Sequence, residues 1–333
     1  MTTHSAKRIV IIGGGPAGYE AALVGARYGA DITLIEDNGL GGSAVIDDCV
    51  PSKSFIAGAN VKTDLRRAED MGLNMKLAED AAGAGSTRLV TALNGRVRQL
   101  AGKQSNDIYR SVERAGVRII AGRGTFDDYN LNQTVHYIRV EHANGTVETI
   151  ECDLVLVATG ASPRILPGAQ PDGERIVTWQ QIYNITELPE HLIVVGSGVT
   201  GAEFVSAFAE LGVKVTMVAS RDRILPHDDA DAADVLETVL TERGVSLVKH
   251  ARVDSVVRMD DGGVLVCTSD GREIRGSHAL MTVGSIPNTR NMGVESIGME
   301  TTPSGHIKVD RVSRTNVPGV YAAGDCTDLF PLA

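Results

Sequence analysis

The chain has 333 residues, 43% of them hydrophobic and 22% charged, and its 32 basic against 42 acidic residues give a net charge of −10. The composition is that of a globular protein with a buried core, the length favours two domains, and the acidic balance argues against nucleic acids and anionic membranes as partners. The four cysteines lack the paired spacing of a disulfide scaffold or a zinc site, so we expect no metal. Because no apolar run approaches the length of a signal or membrane-spanning segment, we expect a cytoplasmic protein.

The first predicted elements form a strand–turn–helix–strand unit. A buried strand, Lys7–Ile12, runs into the glycine-rich turn Gly13–Gly18, and a helical stretch to Tyr28 and a strand at Asp31–Ile35 follow. In this motif the first glycine allows the tight turn, the second lets a pyrophosphate reach the backbone, and the third lets helix and strand pack closely. Glu36 at the strand tip can accept hydrogen bonds from both hydroxyls of an unphosphorylated ribose, so this site suits FAD or NAD.

The same unit recurs later in the chain. The strand His191–Val195 precedes the turn Gly196–Gly201, and the helical stretch Ala202–Leu211 leads to the strand Lys214–Val218. One such turn is weak evidence, since glycine-rich turns are common. Two copies, each in its full strand–helix–strand context, predict two dinucleotide sites.

The second copy lacks the acidic residue at the strand tip. At the position that corresponds to Glu36 the chain has Ala219, and the polar residues after it are Ser220, Arg221 and Arg223. A hydroxyl and a guanidinium bind a 2′-phosphate, which a carboxylate would repel, so this copy favours NADPH over NADH. The alternative is that the two arginines are ordinary solvated surface charges.

The remaining pattern predicts that the two domains interleave along the chain. A long helix is predicted at Ser86–Ala115 and an antiparallel insert at Arg118–Glu151, with turns at Asn130 and Asn144-Gly145. The chain then crosses to the second domain near Pro163–Pro171 and returns for a closing strand at Gly319–Gly324.

We therefore predict an α/β protein with two Rossmann-like dinucleotide-binding domains. Residues 1–159 and 282–333 form a discontinuous FAD-binding domain, and residues 160–281 form an NAD(P)-binding domain. The simplest reason for two dinucleotides in one chain is electron transfer from a nicotinamide to a flavin. The cofactors, FAD and NADPH or NADH, then supply the chemistry.

Further motifs follow one another in a fixed order. They are Gly41-Gly42, Cys49–Lys53, Ala158–Pro163, Gly284–Asn288 and Gly319–Asp325. Together with the two glycine turns, this set resembles the pyridine nucleotide-disulfide oxidoreductase family, whose members include lipoamide dehydrogenase and glutathione reductase. The resemblance covers nearly all of the chain, and it implies FAD, NAD(P)H and a homodimer.

The resemblance also implies roles for single residues. Lys53 is expected near the flavin and paired with Glu203, and these two are the candidate catalytic residues. Val199 stands where some relatives carry a flavin-covering tyrosine, and it is interpreted more conservatively as a helix-packing residue. The residues implied in FAD binding are Gly13, Gly15, Pro16, Ala17, Gly18, Glu36, Gly41, Gly42, Ser43, Lys53, Gly124, Ala158, Thr159, Gly160, Gly324 and Asp325. Those implied at the nicotinamide nucleotide are Gly196, Gly198, Val199, Thr200, Gly201, Glu203, Ser220, Arg221 and Gly284.

The chain departs from the family in its cysteines. Dithiol members carry two cysteines on one helix, but here Cys49 matches one of them and Ala44 stands in place of the other. A single thiol cannot form an intramolecular disulfide, so reduction of lipoamide or glutathione by the usual route is not expected. The segment Gly41–Lys53 is similar to the actinobacterial lipoamide-dehydrogenase-like NAD(P)H:quinone reductases, which implies that reduced FAD passes its electrons directly to a quinone. The other three cysteines are interpreted as small buried hydrophobic residues.

A second departure concerns the end of the chain. Family members continue after the Gly-Asp motif with a dimerisation domain of about a hundred residues, a usual domain size, which carries the catalytic His and Glu of dithiol enzymes. We expect this domain to be missing here. None of the eight histidines matches the catalytic one, and His227, His250 and His278 are interpreted as surface or β-strand residues.

Two alternatives to quinone reduction stay open. One is an NAD(P)H oxidase or transhydrogenase, with oxygen or a second nucleotide as the acceptor. The other is a flavoprotein redox sensor or binding module, which would hold FAD tightly and show negligible turnover.

Overall fold

A computed structural model describes residues 6–72, 84–127 and 135–329 of the chain. The chain divides into two compact units, each of which is discontinuous in sequence. The first unit comprises Met1–Cys49, Ala101–Ser162 and Ser285–Ala333, and the second comprises Val50–Leu100 and Pro163–Gly284.

The described residues form six α-helices and eighteen β-strands. The helices are α1 (Pro16–Arg27), α2 (Gly42–Ile46), α3 (Cys49–Asp70), α4 (Ala84–Arg114), α5 (Val199–Glu210) and α6 (Ala230–Glu242). The strands are β1 (Arg8–Ile12), β2 (Asp31–Glu36), β3 (Arg118–Ala121), β4 (Arg123–Phe126), β5 (His136–Glu141), β6 (Val147–Cys152), β7 (Leu154–Val157), β8 (Ala161–Pro163), β9 (Ile176–Thr178), β10 (His191–Val195), β11 (Lys214–Val218), β12 (Ser246–Val248), β13 (Val253–Arg258), β14 (Val264–Thr268), β15 (Glu273–Gly276), β16 (His278–Met281), β17 (Ser285–Pro287) and β18 (Val320–Ala322).

The first unit is built on a five-stranded parallel sheet in the order β18-β7-β1-β2-β3. Its central strand β1 is a continuous apolar run that ends in the buried residues Val10, Ile11 and Ile12, as expected for a parallel strand covered on both faces. Helix α1 begins with Pro16, whose fixed φ suits a first helical position, and connects β1 to its neighbour β2. The predicted closing strand is confirmed, because β18 pairs in parallel with β7.

The predicted antiparallel insert is correct only in part, and its predicted turn at Asn130 lies outside the described residues. Strands β4, β5 and β6 form an antiparallel sheet, and the turn at Asn144-Gly145 closes on the bond from His142 N to Thr146 O, 2.9 Å long. Residues Arg118–Ala121 are instead strand β3, the fifth strand of the parallel sheet. The physical reason is the long helix α4 that precedes β3, since a helical crossover is the usual connection between parallel strands.

The second unit repeats the design with a parallel sheet in the order β12-β11-β10-β16-β9 and an antiparallel sheet in the order β13-β14-β15. Its main core also contains Phe55, Ala59, Val90 and Val97 from α3 and α4, and the Phe55 and Phe208 rings lie 5.2 Å apart. These helical residues, which the sequence analysis assigned to the first domain, are therefore part of the second unit. None of the described helices is long and apolar enough to cross a membrane.

Candidate dinucleotide-binding sites

The predicted FAD-contacting residues of the first unit follow the carboxyl ends of neighbouring parallel strands. The turn at Gly13 follows β1, Glu36 ends β2, the segment at Ala158 follows β7, and the segment at Gly324 follows β18. Backbone hydrogen bonds continue the pairing past the strand ends, from Ala158 N to Ile12 O at 2.8 Å and from Ala323 N to Val157 O at 3.0 Å. The carboxyl edge of a parallel α/β sheet is where such folds bind ligands.

The three motif glycines of the first turn, Gly13, Gly15 and Gly18, differ in what requires them. Gly13 has a φ of 106°, and a Cβ there would lie 2.2 Å from the Ala158 carbonyl oxygen. A Cβ at Gly18 would lie 1.9 Å from the carbonyl oxygen of Gly13, so packing within the protein requires both glycines. At Gly15, whose φ is −69°, the nearest atom to a Cβ would be Gly42 Cα at 3.8 Å, which is an ordinary contact. The protein alone does not require glycine at this position, whereas a pyrophosphate against the backbone does.

The glycine pair Gly41-Gly42 packs against the first turn. Gly41 and Gly42 have φ values of 112° and 55°, and Gly41 N donates to Gly14 O at 2.8 Å. A Cβ at Gly42 would lie 2.7 Å from Gly15 Cα, so only glycine allows this approach. Ser43 follows in α2, where its carbonyl oxygen accepts hydrogen bonds from two backbone N–H groups. The N-terminus of α1 and these glycine backbones therefore fit the phosphates of a dinucleotide.

Glu36 is anchored at the tip of β2 by backbone donors. Gly14 N donates to its Oε2 and Asn38 N to its Oε1, both at 2.6 Å. Burial raises the pKa of the Glu36 carboxyl, and the two hydrogen bonds to the charged form oppose that shift. A carboxylate oriented at the strand tip fits the hydroxyl pair of an adenosine ribose.

Other predicted residues of this unit have structural contacts of their own. Gly124 lies in β4, and a Cβ there would be 3.1 Å from an Ile12 side-chain carbon, so packing against the sheet accounts for this glycine. Asn288, to which the sequence analysis gave no role, donates from Nδ2 to Thr159 O and from its backbone N to Gly160 O, each at 3.0 Å. Asn288 thereby fixes the segment after β7, and its place in the Gly284–Asn288 motif is the sequence feature that could have indicated this.

In the turn of the second unit, as in the first, packing within the protein requires the first and third motif glycines but not the second. Gly196 has a φ of 118°, and a Cβ there would lie 2.2 Å from the Thr282 carbonyl oxygen. A Cβ at Gly201 would lie 2.3 Å from Gly196 O, whereas a Cβ at Gly198 would meet nothing within 4 Å. Thr200 and Gly201 lie in the first turn of α5, at the end of the helix that favours negative charge. Gly284, with a φ of 90°, follows β16 at the same carboxyl edge.

The tip of β11 carries no acid. Ala219 is 2% exposed and continues the pairing with β12 through the bond from Ala219 N to Val248 O at 2.9 Å. Ser220 and Arg221 are exposed, and the Arg221 side chain has no hydrogen-bond or ion-pair partner within the described parts of the chain. Arg223, by contrast, donates from Nη2 to Asp228 O at 3.3 Å. Of the three residues considered as ligands of a 2′-phosphate, Ser220 and Arg221 therefore remain as candidates.

Lys53 and Glu203 form an ion pair between α3 and α5. The distance from Lys53 Nζ to Glu203 Oε1 is 2.6 Å, and Lys53 Nζ also donates to Ser52 Oγ at 3.2 Å. The Lys53 side chain is 58% exposed, so solvent screens the pair and its contribution to stability is small. Val199 lies one helical turn before Glu203 on the same face and is 47% exposed, so its interpretation as a helix-packing residue is wrong.

No disulfide joins the four cysteines, all of which lie in the described part of the chain. Cys152 and Cys326 are fully buried, and burial raises the pKa of both, to about 12 for Cys152. Cys267 lies in β14, and Cys49 is the first residue of α3, preceded by an α2 that contains Ala44 and no cysteine. No group of side chains in the part of the chain that the structure describes could hold a metal ion.

A comparison with protein-family models matches residues 7–333 to the family described as pyridine nucleotide-disulphide oxidoreductase. The chain belongs to this family. Members of the family use FAD and NAD(P)H, and the predicted family, cofactors and α/β fold class with parallel sheets are confirmed.

Similar proteins include both quinone-acting and lipoamide-acting members. The chain is 54% identical over 329 residues to an NAD(P)H dehydrogenase (quinone) of Mycobacterium tuberculosis, covering 98% of this chain and 65% of that protein. It is 31% identical to a dihydrolipoyl dehydrogenase of Bacillus subtilis, covering 98% and 68%. The chain thus spans about two thirds of the length of these relatives.

Solved structures agree with the fold. The crystal structure of LpdA from M. tuberculosis superposes with a TM-score of 0.91 at 54% identity, covering 98% of this chain and 69% of that one. The HOCl-induced flavoprotein disulfide reductase RclA of Escherichia coli superposes with a TM-score of 0.80 at 25% identity, covering 98% and 67%.

Substitutions at two of the three glycines of the second turn, Gly198 and Gly196, are expected to have opposite phenotypes. Gly198→Ala should leave the thermal midpoint nearly unchanged, because a Cβ there meets no protein atom, but it should weaken NAD(P)H binding by roughly tenfold or more by blocking the pyrophosphate. Gly196→Ala should lower the midpoint, because it forces a left-handed φ and a clash with Thr282 O. Thermal unfolding and calorimetric titration of each variant check this, and normal nucleotide affinity of Gly198→Ala would contradict the assignment.

Proposed function

We propose that the protein is an FAD-dependent NAD(P)H:acceptor oxidoreductase that reduces quinones and does not reduce disulfides. One observation carries the proposal. Two complete glycine-rich turns, each suited to a dinucleotide, occur together with a single cysteine, Cys49, at the place where dithiol enzymes have two. The Mycobacterium tuberculosis relative named NAD(P)H dehydrogenase (quinone) supports the choice of acceptor.

In this proposal the first unit holds FAD. The backbones of Gly15, Gly41 and Gly42 bind the pyrophosphate, and Glu36, already oriented by two backbone donors, accepts from the ribose. Bound FAD would take a hydride from the nicotinamide and release its electrons to the acceptor. The segment at Thr159, fixed by Asn288, lines the same sheet edge.

The second unit holds the nicotinamide nucleotide on the turn Gly196–Gly201. NADPH is the preferred form in this proposal, because Ala219 removes the carboxylate that would repel a 2′-phosphate and Arg221 is free to bind one. By the resemblance to the family, Lys53 would supply positive charge to a bound flavin, and Glu203 holds the lysine in position.

The proposal extends to the surroundings of the enzyme. Four cysteines with no disulfide among them are typical of a reducing compartment, which supports the cytoplasm as its location. The resemblance to the family supports assembly as a homodimer, and a small-molecule quinone is the proposed partner.

A visible spectrum of the purified protein tests the proposed function. The protein should carry an oxidised flavin spectrum, lose it on addition of NADPH under nitrogen, and recover it when a naphthoquinone is added. Recovery in air at the same rate without quinone would instead establish an oxidase. A protein that holds FAD but is not bleached by either nucleotide would be the sensor, and one that stays colourless after incubation with FAD would exclude every flavin-dependent function.

Removing the charge of Lys53 should slow flavin reduction. Lys53→Met should reduce the rate of bleaching by NADPH by roughly tenfold to a hundredfold, because the charge that develops on the flavin loses its cationic partner. Lys62→Met is the matched control, since Lys62 lies on the same helix and donates to the Leu211 carbonyl oxygen. Stopped-flow absorbance measures both rates, and equal rates in the two variants would remove Lys53 from the catalytic machinery.

The strand tip of the second unit should control nucleotide choice. Ala219→Glu places an acid at the position that corresponds to Glu36, and it should weaken NADPH by roughly tenfold while changing NADH by less than about threefold. Ala219→Gln has the same size without the charge and should preserve the preference. Titration of each variant with both nucleotides gives the ratio, and an unchanged ratio in Ala219→Glu would exclude the 2′-phosphate assignment.

A further inference from the structure

Thr282 contacts the glycine-rich turn of the second unit from the neighbouring strand. It directly follows β16, it is 6% exposed, and its hydroxyl Oγ1 donates to Val195 O at 2.9 Å. The backbone N of Thr282 donates to the same oxygen at 2.8 Å. Because a carbonyl oxygen has two lone pairs, Thr282 can occupy both acceptor positions of the carbonyl that ends β10.

The Thr282 hydroxyl also reaches the first and the last glycine of the turn. Its Oγ1 lies 3.4 Å from Gly196 O, and a Cβ would lie 2.8 Å from Oγ1 at Gly196 and 2.9 Å from it at Gly201. Gly196 directly follows β10, whereas Gly201 lies in the first turn of α5. The hydroxyl therefore lies where the end of the strand and the start of the helix come together.

The first unit has an apolar side chain at the corresponding place. Ala158 follows β7, its carbonyl oxygen contacts Gly13, and its backbone N donates to Ile12 O at 2.8 Å. Its side chain is a methyl group, which cannot add a second hydrogen bond to the end of the strand. The two glycine-rich turns thus share their backbone contacts, and the second has a buried side-chain hydrogen bond in addition.

We propose that Thr282 is a positioning residue for the nicotinamide nucleotide, whose hydroxyl holds the turn Gly196–Gly201 in the shape that directs the N-terminus of α5 at the pyrophosphate. The inference rests on the proposed binding of this nucleotide by the second unit. Several backbone N–H groups bind a phosphate together, and binding is tighter when their directions are already correct in the free protein. Removing the hydroxyl should therefore weaken nucleotide binding, although the hydroxyl itself does not touch the ligand.

Three substitutions at this position test the proposal. Thr282→Val places a methyl group where the donor was, Thr282→Ala leaves the side chain found in the first unit, and Thr282→Ser keeps the hydroxyl. ADP-ribose, which carries the pyrophosphate without the nicotinamide, is titrated calorimetrically into the full chain saturated with FAD. Thr282→Val and Thr282→Ala should bind it roughly threefold to tenfold more weakly than the wild type, the effect of about one hydrogen bond, and Thr282→Ser should bind it equally well.

Thr216→Val is the matched control. Thr216 is a buried threonine of the same sheet, 4% exposed, and its hydroxyl lies 2.8 Å from His191 Nε2. This variant also loses a buried hydroxyl, so its thermal midpoint should fall by about as much as that of Thr282→Val. Its affinity for ADP-ribose should nevertheless equal that of the wild type.

Hydrogen exchange without any nucleotide reports on the turn itself. The amide of Gly196 donates to Val218 O and the amide of Ala202 donates to Gly198 O, each at 3.0 Å, so these two protected amides lie on either side of the turn. Both should exchange faster in Thr282→Val and Thr282→Ala than in the wild type and in Thr282→Ser.

The possible outcomes distinguish this inference from the proposed function. Wild-type affinity for ADP-ribose in Thr282→Val and Thr282→Ala would overturn the role of Thr282 and leave the nucleotide site intact. An equal loss of affinity in Thr282→Ser or in Thr216→Val would overturn it as well, because the hydroxyl of Thr282 would then not be the cause.

A wild-type protein that does not bind ADP-ribose would overturn both this inference and the nucleotide site of the second unit. The expected loss in Thr282→Val, in a protein that passes no electrons to quinone, would support the positioning role and refute the proposed activity.

Discussion

Both parallel sheets depend on one close contact. In each unit the first glycine of the turn presses against a carbonyl oxygen just beyond the neighbouring strand, Gly13 against Ala158 and Gly196 against Thr282. In both, that neighbour also donates back to the end of the central strand, from Ala158 N to Ile12 O and from Thr282 N to Val195 O, each at 2.8 Å. The contact fixes where the strand stops and where the helix starts, and it thereby directs the helix N-terminus over the sheet edge. Without it neither edge could present backbone donors to a phosphate.

The two units share this turn geometry, but the residue at the strand tip, Glu36 in the first unit and Ala219 in the second, gives the two sheet edges different charges. The strand tip of the first unit carries Glu36, whose carboxylate is held by the Gly14 amide, and a Cβ at Gly14 would lie 3.1 Å from Glu36 Oε2. The corresponding Ala219 leaves the second edge without negative charge at that point, and Arg221 adjoins it. Similar backbone geometry is thus combined with a different charge at the strand tip, and this difference is the basis on which we propose different nucleotides for the two units.

The turns, the order of elements and the family could be predicted from sequence because their information is local. Each glycine motif specifies a backbone path over six residues, and the strands on either side have the expected apolar runs. The placement of α3 and α4 could not be predicted in the same way. Phe55 and Val90 show that these helices have an apolar face, but a face does not specify which of two sheets it covers. Strand β3 was misassigned for a similar reason, since a short apolar run does not reveal whether its partner is parallel or antiparallel. The hydrogen bond from the Arg272 guanidinium to the His250 carbonyl oxygen, 3.1 Å long, could not be predicted because it joins two turns that lie apart in the sequence.

The interleaved order of the two units constrains how the protein folds as it leaves the ribosome. The second unit needs Val50–Leu100 early and Pro163–Gly284 late, and the parallel sheet of the first unit is complete only when Val320–Ala322 has been made. The apolar surface of α3 and α4 therefore stays uncovered until Pro163–Gly284 has been synthesised. Exposed apolar surface of this kind favours aggregation. Release of nearly the whole chain, and not of either half, is the event that permits both cores to close.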